Sequence, residues 1–163
     1  MIIRKANPGD ASLIRDMAYE IWPQTYGRIL SKEQLQYMLV LLYSEQTLKK
    51  EMEQGVEFIL VYDGPLPVGF ASFSKTQPGV YKLHKIYVLP SQQGKGTGRF
   101  IIDEVVKTTK QTGATRLQLN VNRHNNAKIF YEKLGFAVIR EEDIDIGNGY
   151  FMNDYVMEKE FEV

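Results

Sequence analysis

The stretch that decides the fold is residues 84–100, HKIYVLPSQQGKGTGRF. An apolar strand pattern ends at Pro90, three alternating glycines follow, and a helical pattern begins near Phe100. Glycine permits positive φ angles and lets a ligand approach the backbone closely. The free N–H groups and the positive dipole end of the following helix point into such a loop. The segment therefore predicts a phosphate or pyrophosphate site, to which Lys95 and Arg99 add positive charge.

The glycine spacing fits neither of two common phosphate-binding patterns. A Walker loop needs Gly-Lys followed by Ser or Thr, whereas Gly94 and Lys95 are followed by Gly96. A dinucleotide-binding turn needs wider glycine spacing and an acidic residue after the next strand, where this chain has Asn120 and Asn122. Glycine alternation alone is also compatible with a plain turn between a strand and a helix.

Hydrophobic periodicity predicts a mixed sheet around this loop. Strands are predicted at 2–5, 58–62, 68–74, 81–89, 117–121, from 136, and 151–160. Five helices are predicted. The first covers residues 10–22, the second begins after a capping box at 31–34, and a short third runs through 48–52. The fourth ends before a stop at 111–113, and the fifth covers 126–134. Pro23 is expected to end or kink the first helix. This order indicates an α/β chain that forms one domain over residues 1–163, with helices on both faces of the sheet.

Composition limits the classes of function. The chain has no cysteine, which excludes disulfides, thiolate nucleophiles and zinc–thiolate sites, and its two histidines are too few for a typical metal site. Twenty basic residues balance twenty acidic ones, which removes the bulk electrostatic case for a nucleic-acid partner. The N-terminus lacks the apolar core of a signal peptide, and no apolar run is long enough to span a membrane. We therefore expect a cytoplasmic protein with neither a metal nor a membrane partner.

A second motif lies downstream, at residues 124–136, HNNAKIFYEKLGF. The pattern Q-x-x-G-x-G, then a strand, then A-x-x-x-Y-x-x-x-G-F resembles the GNAT acetyltransferase superfamily over nearly the whole chain. The matching residues are Gln93, Gly96, Gly98, Ala127, Tyr131, Gly135 and Phe136. The resemblance implies a central mixed, mostly antiparallel seven-stranded sheet with splayed parallel strands 4 and 5 and helices on both faces. Residues 22–52 and 147–157 also look like the bacterial spermidine/spermine acetyltransferase branch.

The resemblance implies a site for acetyl-CoA as cosubstrate, in the gap between residues 83–89 and 117–122. An amine would attack the thioester directly. The residues assigned to the cosubstrate are Ile86, Tyr87 and Val88 for pantetheine, Gln93, Gly94, Lys95, Gly96, Thr97, Gly98 and Arg99 for pyrophosphate, and Asn120 and Asn125. The family has an asparagine that binds the cosubstrate at this point. Counting forward from the strand at 117–122 assigns that position to Asn125, whereas counting back from Tyr131 assigns it to His124. The alternative interpretation of Asn125 is a helix N-cap.

Two residues are candidates for catalysis. The resemblance implies that Tyr131 is the general acid, because a phenol is neutral at pH 7 and can protonate the departing thiolate. Plain packing beside Phe130 is the alternative. His84 titrates near neutrality beside the cosubstrate and is a candidate base, directly or through water, with a structural or surface histidine as the alternative. Some family members carry a glutamate base at the position of Asn120, and asparagine cannot act as a base.

The first helices and the final hairpin are expected to select the acceptor. Candidate groove residues, which would otherwise be core, are Tyr19, Trp22, Tyr26 and Tyr37. An acidic cluster that would attract a polycation, or else form a solvated face, comprises Glu141, Glu142, Asp143, Asp145 and Asp154. The predicted function is acetyl-CoA-dependent N-acetylation of a small amine or polyamine. The alternatives are acetylation of a protein N-terminus or lysine, and a non-catalytic acetyl-CoA-binding sensor domain. The last strand or the helical region would also permit a homodimer.

Overall fold

A computed structural model describes residues 1–161 and confirms the α/β class and the seven-stranded sheet. The strands are β1 Ile2–Lys5, β2 Glu57–Asp63, β3 Leu66–Gln77, β4 Val80–Val88, β5 Arg116–Asn122, β6 Ala137–Gly147 and β7 Tyr150–Glu160. The α-helices are α1 Ala11–Tyr26, α2 Lys32–Tyr43, α3 Glu45–Glu53, α4 Thr97–Gln111 and α5 Ala127–Lys133. Among the described residues, no helix combines the length and the apolar content needed to cross a membrane.

The sheet opens between its two parallel strands. Its strand order is β1-β2-β3-β4-β5-β7-β6, and β4 and β5 form its parallel pair. That pairing runs only from Val80 opposite Arg116 to Leu83 opposite Leu119. Both strands continue beyond these pairs, β4 to Val88 and β5 to Asn122, without pairing with each other. The splay that the resemblance implied is therefore present, and the facing strand edges border a gap.

A β-bulge lies at the point where the gap begins. In the β3–β4 ladder, Ser72 is opposite Lys85 while Phe73 is opposite Leu83, so His84 is the extra residue in β4. A bulge bends its strand and redirects the side chain of the extra residue. The bulge therefore accounts for the position of His84 at the mouth of the gap.

Hydrophobic side chains on the two faces of the sheet form two cores. Helices α4 and α5 cover one face, where Ile101, Val105 and Tyr131 are buried together. Helices α1, α2 and α3 cover the other face, where buried side chains include Trp22 and Tyr43. Fully burying one large apolar side chain contributes about 1.5–3 kcal/mol. The prediction of helices on both faces is thus confirmed, and the gap lies between two well-packed layers.

Pro23 does not end the first helix, which was one of the two outcomes predicted for it. Helix α1 continues to Tyr26, with Pro23 inside it and exposed. Proline removes one backbone donor, and the carbonyl left without it belongs to Tyr19, four residues earlier, which is also exposed. Water can solvate that carbonyl, while Trp22 and Tyr26 bury their rings on the opposite side. The additional turn carries Tyr26 to the gap.

Candidate functional site

A cavity of about 830 Å³ occupies the gap between β4 and β5. It is bordered by β4, the glycine loop, β5, α5 and the end of α1. The predicted site residues that line it are His84, Ile86, Tyr87, Val88, Gln93, Gly94, Gly96, Thr97, Gly98, Arg99, Asn120, Asn125 and Tyr131. Lys95 is the exception, since it is exposed and lies outside the lining. One cavity thus brings together all but one of the residues assigned from the sequence.

The glycine loop has the geometry of an anion cradle. Gly94 and Gly96 both adopt a φ of 80°, and a Cβ at either position would meet no heavy atom within 4 Å. The left-handed backbone therefore requires glycine here, while the space in front of the loop is open. Helix α4 begins at Thr97 without a side-chain cap, and its first internal bond runs from Phe100 N–H to Gly96 O. The preceding N–H groups of the first turn are left for a ligand, and they fit a pyrophosphate.

The third glycine of the loop serves packing. A Cβ on Gly98 would lie 3.2 Å from Cζ of Phe130, which is tighter than ordinary van der Waals contact. Gly98 therefore lets α5 lie directly against the beginning of α4. This contact joins the two sequence motifs, because Phe130 precedes Tyr131 in α5. The position of Tyr131 thus depends on the same loop that would hold the pyrophosphate.

Tyr131 is buried at the wall of the cavity. The residue is 8% exposed, and its ring packs between Phe130 and Phe136, with ring centroids 5.5 and 6.0 Å away. Burial, and then the neighbouring phenol of Tyr26, raise the pKa of Tyr131 well above its usual value. Its phenol is consequently protonated at neutral pH. It can donate a proton to an anion that develops in the cavity.

A second cavity of about 250 Å³ adjoins the first. Four residues line both cavities, namely Tyr26, His84, Tyr87 and Asn120. The hydroxyl groups of Tyr26 and Tyr87 lie 2.9 Å apart and bond to each other. The two cavities therefore meet where β4 and β5 separate. Reactants entering from opposite sides would come together at these four side chains.

The predicted groove aromatics divide into two groups. Trp22 and Tyr26 line the second cavity, as expected for an acceptor groove. Tyr19 is 44% exposed and lies outside both cavities. Tyr37 donates a 2.6 Å hydrogen bond to Ile146 O and packs against Tyr150, so it anchors the final hairpin. Helical spacing alone could not separate these roles, because all four residues lie on helices near the site.

His84 lies at the junction of the two cavities. Its Nε2 is 2.6 Å from Ser74 Oγ. Burial of the ring, followed by the charges of Lys85 and Lys82, lowers the pKa of His84 from 6.5 to about 4. The residue as a whole remains exposed, and the surrounding water limits this effect. The imidazole is therefore neutral at pH 7, with Nδ1 free of the Ser74 bond.

The predicted acidic cluster is split by the strand geometry. Of its β6 members, Glu141 and Asp143 pair with Arg123, the half-buried Glu142 pairs with Arg140, and Asp145 is exposed. Asp154 on β7 is 3% exposed and lines the second cavity. Its Oδ2 accepts a 3.2 Å hydrogen bond from Asn120 Nδ2. Burial, as the largest cause, raises the pKa of Asp154 above its usual value. Most of the cluster is therefore a solvated face, as the alternative interpretation held.

Asn125 lies just before Asn126, the N-cap residue of α5, and lines the first cavity. Its Oδ1 accepts a 2.9 Å hydrogen bond from the N–H of Ala127, so it satisfies a donor of the first turn although it is not itself the N-cap. His124 also lines the cavity. Both candidates for the cosubstrate-binding position, Asn125 and His124, are therefore lining residues.

Sequence reasoning missed part of the lining. Gln24, Thr25, Arg28 and Ile29 line the first cavity, beyond Pro23, where α1 was expected to end or kink. Lys82 and Lys85 line the second cavity from β4. Lys85 is paired with Glu51 at 3.0 Å. Within residues 1–161, no group of three or more His, Asp or Glu side chains is arranged to hold a metal ion.

The chain is similar in sequence to known acetyltransferases. A family model described as an acetyltransferase (GNAT) domain matches residues 28–159. The spermidine N(1)-acetyltransferase of Thermoplasma acidophilum is 28% identical over 166 residues, covering 98% of this chain and 97% of the relative. The ribosomal protein bS18-alanine N-acetyltransferase of Haemophilus influenzae is 28% identical over 109 residues, covering 67% of this chain and 70% of the relative.

The fold also matches a structure solved with a ligand. The PaiA N-acetyltransferase of Thermoplasma acidophilum in complex with coenzyme A superposes with a TM-score of 0.84 and 27% identity. That match covers 98% of each chain. The similarity therefore extends over the whole described architecture, including both strands that border the gap.

Proposed function

The chain belongs to the GNAT acetyltransferase family and is an N-acetyltransferase with acetyl-CoA as cosubstrate, and we propose that its acceptor is a small primary amine, a polyamine in particular. The observation that carries this proposal is the second cavity, which joins the first at four shared residues. At about 250 Å³ it falls near the lower end of small-molecule sites. Gln34 Nε2 donates to Phe151 O at 2.9 Å and ties α2 to β7 beside this cavity. That closure favours a slender acceptor over a polypeptide.

We assign the cosubstrate site to the residues of the larger cavity. The backbone N–H groups of residues 94–99 bind the pyrophosphate, and Gln93 borders it. Lys95 contributes positive charge from outside the lining. The edge of β4 at Ile86, Tyr87 and Val88 has no β5 partner and offers its N–H and C=O groups to the pantetheine amides. Asn120 and the Nδ2 group of Asn125 provide further hydrogen bonds to the same arm.

In the proposed reaction, the amine reaches the thioester at the junction of the cavities. Tyr131 donates its phenolic proton to the sulfur as the C–S bond breaks and the new C–N bond forms. His84, neutral at pH 7, accepts a proton from the attacking nitrogen and returns the equivalent proton to the Tyr131 phenolate. His84 lies at the junction and Tyr131 lines the first cavity, so positioning of the two groups contributes to the rate as well as proton transfer.

Two alternative functions lead to different outcomes. A protein N-terminal amine is the second candidate acceptor, and the similarity to the bS18-alanine enzyme supports it. A protein lysine would bind at the same cavity as the N-terminal amine. A non-catalytic acetyl-CoA sensor is the third candidate, but the protonated phenol of Tyr131 in the cavity argues for turnover.

The test is release of coenzyme A thiol from acetyl-CoA in the presence of separate amines. We expect release with spermidine and short diamines, and little release with peptides that begin with alanine or contain lysine. Release with the peptides alone would overturn the small-amine proposal in favour of protein acetylation. Coenzyme A binding without release from any amine would favour the sensor.

Two further proposals concern the setting of the enzyme. The lack of cysteine makes folding independent of an oxidising compartment, and this supports work in the cytoplasm. A homodimer remains a prediction. The last strand, β7, is not open as predicted, because it pairs with both β5 and β6. Strand β6 is one edge of the sheet and is exposed along most of its length, so it offers a surface for such a contact.

A further inference from the structure

Asp154 is a buried carboxylate without a cationic partner. Within residues 1–161 no Lys, Arg or His nitrogen lies within 4 Å of its carboxylate oxygens. Its single side-chain hydrogen bond in that range comes from Asn120. An unpaired buried carboxylate is costly for folding, and such groups are concentrated at functional sites. We therefore expect Asp154 to interact with a cationic ligand.

The charges nearest to Asp154 are occupied elsewhere or favour its ionised form. Arg123 donates to the backbone O of Asp154 at 3.3 Å and directs its guanidinium to Asp143 and Glu141. Lys82 lines the same cavity and, like Arg123, favours the carboxylate form of Asp154, whereas Glu142 on β6 opposes it. Burial is the largest influence and raises the pKa of Asp154, so the carboxyl group that lines the second cavity holds a proton more readily than a free one.

Aromatic side chains line the same cavity as this carboxyl group. Trp22, Tyr26, Tyr43 and Tyr87 line the second cavity, with ring centroids 4.6 to 6.5 Å apart. Aromatic faces attract ammonium groups and pack against alkyl chains. Lys85 in the same cavity is neutralised by Glu51. One carboxyl group and four aromatic rings in the same cavity form a receptor for an alkylammonium group.

Because Asp154 bonds Asn120, and Asn120 lines both cavities, the carboxylate stands next to the junction. We propose that Asp154 binds the reacting ammonium of the acceptor and takes its first proton, an assignment that rests on the proposed amine acetylation. The ammonium N–H bond breaks towards the Asp154 carboxylate, and the freed lone pair attacks the acetyl carbon. The nitrogen loses its second proton to His84 as the C–N bond forms. One of the two protons ends on the coenzyme A thiol through Tyr131, and Asp154 releases the other to solvent.

The experiment compares wild type with Asp154→Asn, which keeps the size of the side chain and its bond to Asn120. The acceptors are spermidine, an alanyl peptide, and methoxyamine, an amine that is uncharged at neutral pH. For whichever charged amine the wild type acetylates, kcat/KM of Asp154→Asn falls by about 100-fold or more. Turnover of methoxyamine changes little, because that amine needs neither charge pairing nor loss of a first proton to Asp154, and its one proton leaves to His84. Glu141→Gln, from the exposed β6 side of the acidic cluster, is the matched control and retains wild-type rates.

Two measurements without turnover complete the test. Titration of spermidine into the coenzyme A complex gives at least about tenfold weaker binding for Asp154→Asn, as expected for loss of a charge-assisted hydrogen bond. The variant also unfolds at the same temperature as wild type or higher, because it removes an unpaired buried charge. Equal rate losses with methoxyamine and spermidine, or unchanged spermidine kinetics, would overturn the role of Asp154. Wild-type activity on the peptide alone would overturn the small-amine acceptor, while the ratio of variant to wild type on that peptide still decides the role of Asp154.

Discussion

Replacing Gly96 by alanine separates a backbone effect from a ligand effect. Gly96 has a φ of +80°, and an added Cβ would meet no heavy atom within 4 Å. The loss of stability therefore comes only from the left-handed conformation, about 1–2 kcal/mol for a residue with a side chain. Gly113, just beyond α4, has a φ of +91° and the same open surroundings. Gly113→Ala should lower stability by the same amount. At about 2–4 °C per kcal/mol, both variants should melt about 2–8 °C below wild type.

The two variants should differ in their affinity for coenzyme A. The methyl group of Gly96→Ala would stand in the cradle and displace the pyrophosphate from at least one N–H group. Losing one hydrogen bond to a charged group costs about 1.5–3 kcal/mol. Calorimetric titration should therefore show roughly 10- to 100-fold weaker binding for Gly96→Ala. Gly113→Ala should bind coenzyme A as wild type does. Equal affinities in all three proteins would refute the placement of the pyrophosphate at this loop.

Three further variants test catalysis, a buried ion pair and a histidine. Tyr131→Phe should lower kcat about 100-fold or more and leave KM for acetyl-CoA nearly unchanged in thiol-release kinetics, because the ring still packs. Glu51→Gln should lower the free energy of unfolding by about 3–5 kcal/mol in urea titrations, because it leaves the buried Lys85 ammonium without an anion. His84→Gln should flatten the fall in stability between about pH 6.5 and pH 4. The unfolded chain binds the His84 proton first, since its pKa is lowered to about 4 in the folded protein.

Each of these variants has a matched control. Tyr19→Phe alters a phenol outside both cavities and should leave kcat unchanged. Glu45→Gln breaks the exposed pair with Arg15 and should cost less than about 1 kcal/mol. His124→Gln changes the other histidine of the chain and is the control variant for the pH profile of His84→Gln. Normal turnover by Tyr131→Phe would remove that phenol from the mechanism. Unfolding energies that match the controls would contradict the other two predictions.

Much of the fold could be predicted because local chemistry agreed with it. Pro90 and the glycines of residues 94–98 marked the boundary between β4 and α4, and the structure has that boundary in the same place. The capping signal at Ser31 also held, since its Oγ accepts the N–H of Gln34 at 3.1 Å. The reciprocal half of that capping box is replaced by a tertiary contact, because the Gln34 side chain reaches Phe151 O. No local pattern could reveal that partner, which lies more than a hundred residues away.

The parts of the site that escaped prediction depend on distant neighbours. Pro23 is a helix breaker by local rules, yet the packing of Trp22 and Tyr26 extends α1 beyond it. Asp154 looked like one member of an acidic cluster, because a sequence does not show which face of β7 is covered. The bulge at His84 follows from the register of β3 against β4, which no residue of β4 encodes by itself.

The short parallel pairing between β4 and β5, four residues on each strand, affects the dynamics of the sheet. Because only residues 80–83 and 116–119 hold the two halves of the sheet together, the amides of residues 84–88 that face the opening have no sheet partner there. We expect these amides to take up deuterium rapidly in the free enzyme. A molecule that bridges the opening would act as an eighth strand. Deuterium exchange of the backbone amides should then slow on the facing edges of both β4 and β5. Acetyl-CoA would in this way complete the architecture as well as supply the acetyl group.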